Sequence, residues 1–251
     1  MKLTSLLEQL DRYLAVSTWP DPGVNGLQVE GGKDVNHVAT GVSASVAFID
    51  QAIRMGADTL MVHHGLLWEK SDPVIRGPLR QRLQLLLQHD LSLLAYHLPL
   101  DGHPVLGNNA QIAKKLGFTD VEPAFPYHGS PPIGLICQTE DLPIHELIRR
   151  LEDLFGSPQI HLAEGPELVN RVGIVSGGAQ SEFPEALVNG CDAFITGEIS
   201  EYVVDLARES KTHFFSCGHY RTETLGIQAL GDYVAEKFGL TVSFISLPHP
   251  Y

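Results

Sequence analysis

Short apolar runs typical of β-strands alternate along the chain with longer patterns typical of amphipathic helices. In the first half, strands are predicted at 36–42, 59–62 and 92–96, and helices at 46–55, 79–89 and 110–116. In the second half, strands are predicted at 133–138, 171–175, 193–196, 213–216 and 241–246, and helices at 144–154, 183–188, 202–209 and 227–237. This alternation is typical of βαβ units, so the sequence predicts an α/β fold with mostly parallel sheets.

The chain is long enough for more than one compact region. Its 251 residues exceed the roughly 150 residues of a typical domain. Residues 124–132 have the proline, glycine and aromatic content of a linker. We therefore predict two α/β lobes, 1–125 and 126–251, although the same alternation also fits lobes that are discontinuous in sequence.

Composition excludes several classes of function. Hydrophobic residues make up 43% of the chain and charged residues 19%, which is typical of a globular protein. Seventeen Lys and Arg against thirty Asp and Glu give a formal charge of −13, so the surface repels nucleic-acid phosphates and anionic lipids. No apolar stretch approaches the roughly 18 to 20 residues of a membrane-spanning helix. Binding to nucleic acids or membranes is therefore not expected.

The cysteines and the N-terminus indicate the compartment. The three cysteines are an odd number without C-x-x-C spacing, which argues against a disulfide framework and against a thiolate zinc site. Residues 1–14 follow the spacing of an amphipathic helix rather than that of a signal peptide. A cytoplasmic location is expected.

Residues that commonly bind metals follow three of the predicted strands at the point where each strand ends. They form the pairs His63 with His64, His97 with Asp101, and His219 with Glu223. The carboxyl ends of parallel strands form the crevice in which ligands bind, so the three pairs are expected to point toward one place. Four imidazoles and two carboxylates suit Zn, Mn, Fe or Ni. A catalytic zinc uses three protein ligands plus water, so a set of six predicts two divalent ions.

The histidine doublet constrains the local backbone. Adjacent residues on a regular strand face opposite sides, so His63 and His64 share one site only if the strand ends or twists there, which Gly65 permits. A lone histidine after a strand is more often a structural residue than a ligand. The strand-end position shared by all three pairs nevertheless favours metal binding.

The two other pairs are each separated by four residues. His219 and Glu223 lie on one face if a helical turn begins at the strand end. Between His97 and Asp101, Pro99 disfavours a regular helix, so a tight loop is expected there. Because a carboxylate can bridge two cations, Asp101 and Glu223 are the candidates for bridging ligands.

Several other strand-end residues allow more than one role. Glu198 is a general base, an outer partner of a ligand or a carboxylate at a helix start. The turn Ser176–Gly178 either presents N–H groups to an anion or simply joins a strand to a helix. Arg221 either neutralises a phosphate or pairs with Glu223. Three more residues have a functional and a structural interpretation: Cys217 as ligand or core residue, Trp68 as a base-stacking or core residue, and His103 as an outer partner or loop residue.

Seven segments in combination resemble the YbgI or Nif-three-like family. They are NGLQVEG (25–31), ATGVSAS (39–45), GADTLMVHHGLLW (56–68), AYHLPLD (95–101), GNNAQIA (107–113), FITGE (194–198) and GHYRTET (218–224). The resemblance covers the whole chain, in a short form without the inserted domain of longer members. It implies two α/β lobes that enclose a dinuclear metal site, commonly assembled into a hexameric ring. The metal ligands that it implies are His63, His64, Asp101, His219 and Glu223, with His97 as a sixth candidate.

The function expected from these features is metal-assisted hydrolysis. Members of the family are often described as GTP cyclohydrolase I type 2 homologues, and the chain contains neither a dinucleotide fingerprint nor a phosphate-binding P-loop. The leading hypothesis is a metal-dependent hydrolase of a nucleotide or other phosphorylated small molecule, with Glu223 and Glu198 as catalytic candidates. One alternative is a non-catalytic metal-binding, metal-insertion or regulatory assembly protein. In another, the metals merely join the lobes.

Overall fold

The computed structural model describes residues 1–127 and 129–249. The helices and strands up to residue 126 are α1 (Leu3–Tyr13), β1 (Gly26–Val29), β2 (His37–Ser43), α2 (Val46–Arg54), β3 (Thr59–His64), α3 (Gly77–Gln88), β4 (Ser92–Ala95), α4 (Leu98–Asp101), α5 (Asn108–Leu116) and β5 (Asp120–Pro126). They are followed by β6 (Pro132–Pro143), α6 (Ile144–Phe155), β7 (Ile160–Leu162), β8 (Leu168–Ile174), α7 (Phe183–Val188), β9 (Ala193–Thr196), α8 (Glu201–Ser210), β10 (His213–Ser216), α9 (His219–Thr222), α10 (Thr224–Phe238) and β11 (Thr241–Phe244). The mixed helices and strands confirm the α/β class.

The chain divides into two compact units, each with its own sheet. The first unit consists of Met1–Leu106 with Gly226–Leu247, and the second contains Gly107–Leu225. Within the described residues, no helix combines the length and the apolar character needed to cross a membrane.

The first unit is built on a mostly parallel sheet with the strand order β1-β4-β3-β2-β11. β4, β3, β2 and β11 are parallel neighbours, and β1 pairs antiparallel with β4 at one edge. The Ser45 side chain caps α2 by accepting a hydrogen bond from the backbone N–H of Phe48. Phe48, Ile49 and Ala52 on the buried face of α2 pack into the core beside the sheet. The sheet therefore has the parallel arrangement that the sequence predicts.

The sheet of the second unit is mixed, which corrects the prediction of mostly parallel sheets in both lobes. Its order is β5-β6-β8-β9-β10-β7. The pairs β8–β9 and β9–β10 are parallel, whereas β5–β6, β6–β8 and β7–β10 are antiparallel. β5 and β6 run antiparallel because the few residues between them are too short for a parallel crossover. The predicted linker 124–132 therefore overlaps the end of β5 and the start of β6, two antiparallel neighbours in one unit.

The boundary between the units also differs from the predicted division at residues 125 and 126. Residues 107–125 belong to the second unit, because α5 buries Ile112 and Leu116 in the core of that unit. Residues 226–247 belong to the first unit, because β11 pairs with β2. The first unit is therefore discontinuous in sequence.

Candidate metal centre

Three imidazoles of the first unit lie together at the carboxyl ends of β3 and β4. These strands are parallel neighbours with Val62 opposite Ala95, so the residues after them leave the sheet at the same edge. His63 and His64 end β3, and His97 follows β4. Their ring centroids are 4.7 to 5.6 Å apart. One nitrogen of each ring lies within 4.8 Å of the others, so this group can hold a metal ion.

His63 is buried, and the backbone after β4 fixes the orientation of its ring. Its Nδ1 lies 2.9 Å from the carbonyl oxygen of Tyr96. A carbonyl can only accept, so Nδ1 carries the proton and Nε2 carries the lone pair. Nε2 lies 3.5 Å from Oδ2 of Asp101, whose side chain is also buried. A nitrogen lone pair and a carboxylate oxygen at this separation suit a shared cation.

Asp101 is placed by a short helix, which corrects the prediction of a tight loop. α4 spans Leu98–Asp101 and carries Pro99 in its first turn. A proline is tolerated there because the first N–H groups of a helix have no partner within the helix. The backbone N–H of Asp101 donates to the carbonyl of His97 at 3.1 Å, so the two residues are one helical turn apart.

A carboxylate that the sequence analysis did not single out holds His97. His97 Nδ1 donates to Oδ1 of Asp21 at 2.9 Å, and the Asp21 side chain is only 2% exposed. Asp21 also accepts from the backbone N–H groups of Gly23 and Leu98 and from the side-chain amide of Asn25. Four donors saturate its two oxygens. Asp21 therefore orients the imidazole rather than binding a metal itself, and His97 Nε2 carries the lone pair.

Asp21 remains ionised despite its burial. Burial opposes the charged form, but the hydrogen bonds from His97, Asn25 and Gly23 outweigh it and lower the pKa of the Asp21 carboxyl below its usual value. In the sequence, Asp21 is visible only as the start of an Asp-Pro-Gly turn, a pattern typical of loops in general. The sequence therefore contains a signal for the turn but none for its role beside His97.

The loop after His64 is held close to the sheet by Gln28. Oε1 of Gln28 accepts from the backbone N–H groups of Leu66 and Leu67 at 2.6 and 3.2 Å. A Cβ on Gly65 would collide with the Gln28 amide. A side chain at position 65 would therefore displace the Gln28 amide from the two N–H groups that it binds.

Trp68 and Ser43 contact the imidazole cluster. The indole N–H of Trp68 donates to the carbonyl of Gly65 at 3.1 Å. Its ring meets that of His97 edge to face, with centroids 5.0 Å apart, and lies 6.1 Å from that of His64. Nδ1 of His64 lies 3.2 Å from the Ser43 hydroxyl. Trp68 is therefore fixed beside the candidate metal ligands.

The second unit carries the His219 and Glu223 pair after β10. The helical turn α9 begins at His219 and places its Nε2 3.1 Å from Oε1 of Glu223, as their spacing predicts. The Glu223 side chain is buried and that of His219 is partly exposed. Burial alone would lower the pKa of His219, but its hydrogen bonds with Glu223 and Glu198 outweigh burial and raise it to about 9.

Glu198 contacts the other nitrogen of the same imidazole. It follows β9, and its Oε1 lies 2.6 Å from Nδ1 of His219. A carboxylate that accepts from one ring nitrogen fixes the orientation of the other. This contact supports the role of an outer partner over those of a general base and a helix-start carboxylate.

Glycines allow the loops after β8, β9 and β10 to touch one another. Gly177 has a φ of +70°, and a Cβ there would collide with Oε1 of Glu223. A Cβ on Gly197 would lie 2.6 Å from the carbonyl oxygen of Gly177 and 2.6 Å from Cα of His219. The backbones of these loops therefore approach one another closely beside His219 and Glu223.

The turn Ser176–Gly178 packs against carboxylates rather than forming an anion site. Gly177 adjoins Glu223, and a Cβ on Gly178 would lie 3.4 Å from the carboxyl of Glu198. Two carboxylates repel an anion. Close packing is therefore the role that the geometry supports for this turn.

A family model decides what kind of protein this is. The model, described as Duf34/NIF3 (NGG1p interacting factor 3), matches residues 1–250. The chain belongs to the DUF34/NIF3 family.

Similar proteins extend over the full length of this family member. A protein of Escherichia coli K12 and one of Yersinia pestis, both named GTP cyclohydrolase 1 type 2 homolog, are 44% and 42% identical over 254 and 255 residues, with 100% of each chain covered. A solved structure described as protein ybgI of unknown function has a TM-score of 0.94 at 43% identity, again with both chains fully covered. The structure of TTHA1606 from Thermus thermophilus has a TM-score of 0.90 at 35% identity and full coverage of both chains. These similarities confirm the resemblance seen in the sequence.

The donor groups of this NIF3-family protein fit divalent metal ions. The first unit brings His63, His64, His97 and Asp101 together, and the second brings His219, Glu223 and Glu198 together. Imidazole nitrogens with carboxylate oxygens suit Zn, Mn, Fe or Ni better than Ca, which prefers oxygen ligands alone. Several of these imidazoles also contact a second polar group through Nδ1, as metal-binding histidines commonly do.

Three other residues singled out in the sequence have structural roles. Arg221 donates to the carbonyl oxygens of Phe155 and Ser157, so it supports the backbone of the second unit. Cys217 is fully buried, and burial raises the pKa of its thiol to about 12, which disfavours the thiolate that a metal would bind. His103 Nδ1 accepts from two backbone N–H groups in its own loop, and its ring packs against that of Tyr13.

Replacing Gly197 with alanine is expected to lower the free energy of unfolding by about 1–3 kcal/mol, because the new Cβ overpacks the crossing of two loops. Urea denaturation of the two proteins measures the difference. Gly178→Ala is the matched control, since its Cβ would meet its neighbours at ordinary contact distances. Equal losses in the two variants would contradict the tight crossing at Gly197.

Proposed function

We propose that this protein binds two divalent metal ions and hydrolyses a nucleotide or another phosphorylated small molecule. The convergence of three imidazoles at the carboxyl ends of two parallel strands carries the proposal, because three protein ligands are what a catalytic metal uses. The name GTP cyclohydrolase 1 type 2 homolog, which the E. coli and Y. pestis relatives bear, also supports hydrolysis.

In this proposal the protein ligands are His63, His64, His97 and Asp101 from the first unit and His219 and Glu223 from the second. When bound, such ions lower the pKa of water toward about 7 and polarise the bond to be broken. The buried carboxylates of Asp101 and Glu223 offset part of the positive charge. Asp21 and Glu198 keep the rings of His97 and His219 oriented for binding.

The acidic character of the chain is compatible with an anionic substrate. The formal charge of −13 describes the protein without bound ions. Bound divalent ions are the largest local charges in a site, so they reverse the field where a phosphate would approach.

One observation favours a second candidate function, in which the site holds or delivers metal without catalysis. Glu198, a candidate general base in the second unit, is engaged with His219 Nδ1 at 2.6 Å. A general base must take a proton from water or substrate, and a carboxylate already hydrogen-bonded to His219 is not available for that step. This function predicts exchangeable metal and a partner protein, without turnover.

Elemental analysis of protein purified without chelators tests metal binding. Two ions per chain are expected, and fewer than one would contradict the proposal. Manganese-loaded protein examined by electron paramagnetic resonance then reports whether the two ions are coupled as a dinuclear pair.

A hydrolysis assay on a panel of nucleotides and phosphoesters tests catalysis. Fully loaded protein is expected to hydrolyse at least one compound, and chelator-treated protein is the control that should not. A panel without turnover at full metal occupancy would overturn hydrolysis and leave the metal-holding function.

The family resemblance also leads us to propose a homo-oligomer, specifically a hexameric ring. Light scattering is expected to give six times the chain mass of 27.4 kDa. A monomeric mass would contradict this assembly.

A further inference from the structure

A cavity of about 580 Å³ opens within the first unit next to the imidazole cluster. It begins at Gly65, the residue after His64, and it extends to the first turns of α3. The lining residues that matter here are Trp68, Val74, Arg76 and Arg82. Its volume falls in the range of about 300–1,000 Å³ that is typical of sites for small molecules.

Arg82 has no partner for part of its guanidinium group. Its Nε–H is buried and donates to no atom of residues 1–127 and 129–249. The other arginine at the cavity, Arg76, pairs with Asp72 at 2.6 Å, so the charge of Asp72 is already matched. A buried donor without an acceptor costs free energy. Arg82 lines the cavity and forms no ion pair in the part of the chain that the structure describes, and the planar guanidinium of arginine suits the oxygens of a phosphate.

Trp68 provides an aromatic surface in the same cavity. Its indole N–H is fixed by the Gly65 carbonyl, and its ring centroid lies 5.0 Å from that of His97. An aromatic side chain can stack on any nucleobase, because every base presents a flat π-face. A ligand that stacks on Trp68 would therefore lie beside the candidate metal ligands.

Apolar side chains on the loop before α3 also suit an organic ligand. Val74 lines the cavity and is 55% exposed, and its neighbour Ile75 is 59% exposed. An aromatic ring that covers Val74 would remove its apolar surface from water, and this stabilises the bound ligand. Inorganic phosphate has no apolar part and cannot provide this contribution.

We propose that this cavity binds the phosphate monoester of a planar aromatic compound, with the phosphate on Arg82 and the ring against Trp68. This inference rests on the proposed function in one respect, because only that function places metal ions next to the ligand to act on it. It adds the residues that select the substrate.

Adenosine 5′-monophosphate is a suitable probe, and binding is measured on metal-free protein so that turnover plays no part. The chain has two tryptophans, so Trp19→Phe leaves Trp68 as the single tryptophan whose fluorescence reports the titration. In this background, Arg82→Gln is expected to weaken binding by about 10- to 100-fold, because a charge-assisted contact is lost. Arg80→Gln, on an exposed position of the same helix, is the matched control and is expected to bind as the parent does.

Two further measurements make the result decisive. Adenosine without its phosphate is expected to bind the parent and Arg82→Gln equally, and Arg82→Lys is expected to bind the monophosphate more tightly than Arg82→Gln. Equal binding of the monophosphate to the parent and Arg82→Gln, both shown to be folded by thermal denaturation, would overturn the inference. Arg82-dependent binding without any hydrolysis would retain the cavity and overturn only the proposed reaction. Hydrolysis without Arg82-dependent binding would retain the proposed reaction and overturn the role of the cavity.

Discussion

Replacing Glu223 with glutamine is expected to slow metal-dependent hydrolysis by about 100-fold or more, while the protein remains folded. Glu223 is the buried carboxylate of the second unit, and its Oε1 contacts Nε2 of His219. Glutamine has the same shape and keeps an oxygen for that contact, but it lacks the negative charge that binds a divalent ion. The measurement is the rate on a substrate found in the panel, together with the metal content of the same sample.

Two other carboxylates serve as controls for Glu223. Glu201→Gln removes an exposed charge at the start of α8 and is expected to leave both rate and metal content unchanged. Glu198→Gln acts only through His219, so its loss of activity is expected to recover when the metal concentration is raised. A Glu223→Gln protein with full metal content and full activity would remove Glu223 from the ligand set.

The sequence predicts those parts of the site that depend on local patterns. Apolar runs identify β3 and β4, and the carboxyl ends of parallel neighbours meet at one edge, so the proximity of His63, His64 and His97 follows from pattern alone. The contact of His219 with Glu223 follows in the same way from helical spacing. These features require no knowledge of distant parts of the chain.

Features that depend on distant contacts are not predictable in this way. The return of 226–247 to the first unit depends on the pairing of β11 with β2, which are far apart in sequence. The segment 124–132 has the composition of a linker, yet it overlaps two paired strands, β5 and β6. Pro99 lies in a helix where the local pattern disfavours one. Asp21 meets His97 across 76 positions of sequence, and no periodicity marks it. Local pattern places the candidate ligands, but tertiary packing decides what orients them.

Replacing Asp21 with asparagine is expected to weaken metal binding by about 10- to 100-fold, the usual effect of removing the partner that orients a metal-binding histidine. The Asp21 carboxylate accepts four hydrogen bonds, two on each oxygen. In asparagine an NH₂ group replaces one of these oxygens, and NH₂ cannot accept the two hydrogen bonds that this oxygen received. Even where the remaining amide oxygen faces His97, it carries no negative charge, so it holds the proton on Nδ1 and the lone pair on Nε2 less firmly. Competition against a chromophoric chelator measures the affinity, and ¹⁵N chemical shifts measure the tautomer of His97.

The Asp21 variant also loses stability, so its effect on the metal must be separated from its effect on the loop. Unmatched buried donors are expected to cost about 1–3 kcal/mol of unfolding free energy. Asn25→Ala destabilises the same loop by removing the amide that contacts Asp21 and the backbone N–H of His97, but it leaves the carboxylate on Nδ1. We expect a comparable loss of stability from Asn25→Ala with a much smaller loss of metal affinity. If both variants weakened metal binding equally, the cause would be the loop and not the orientation of the imidazole.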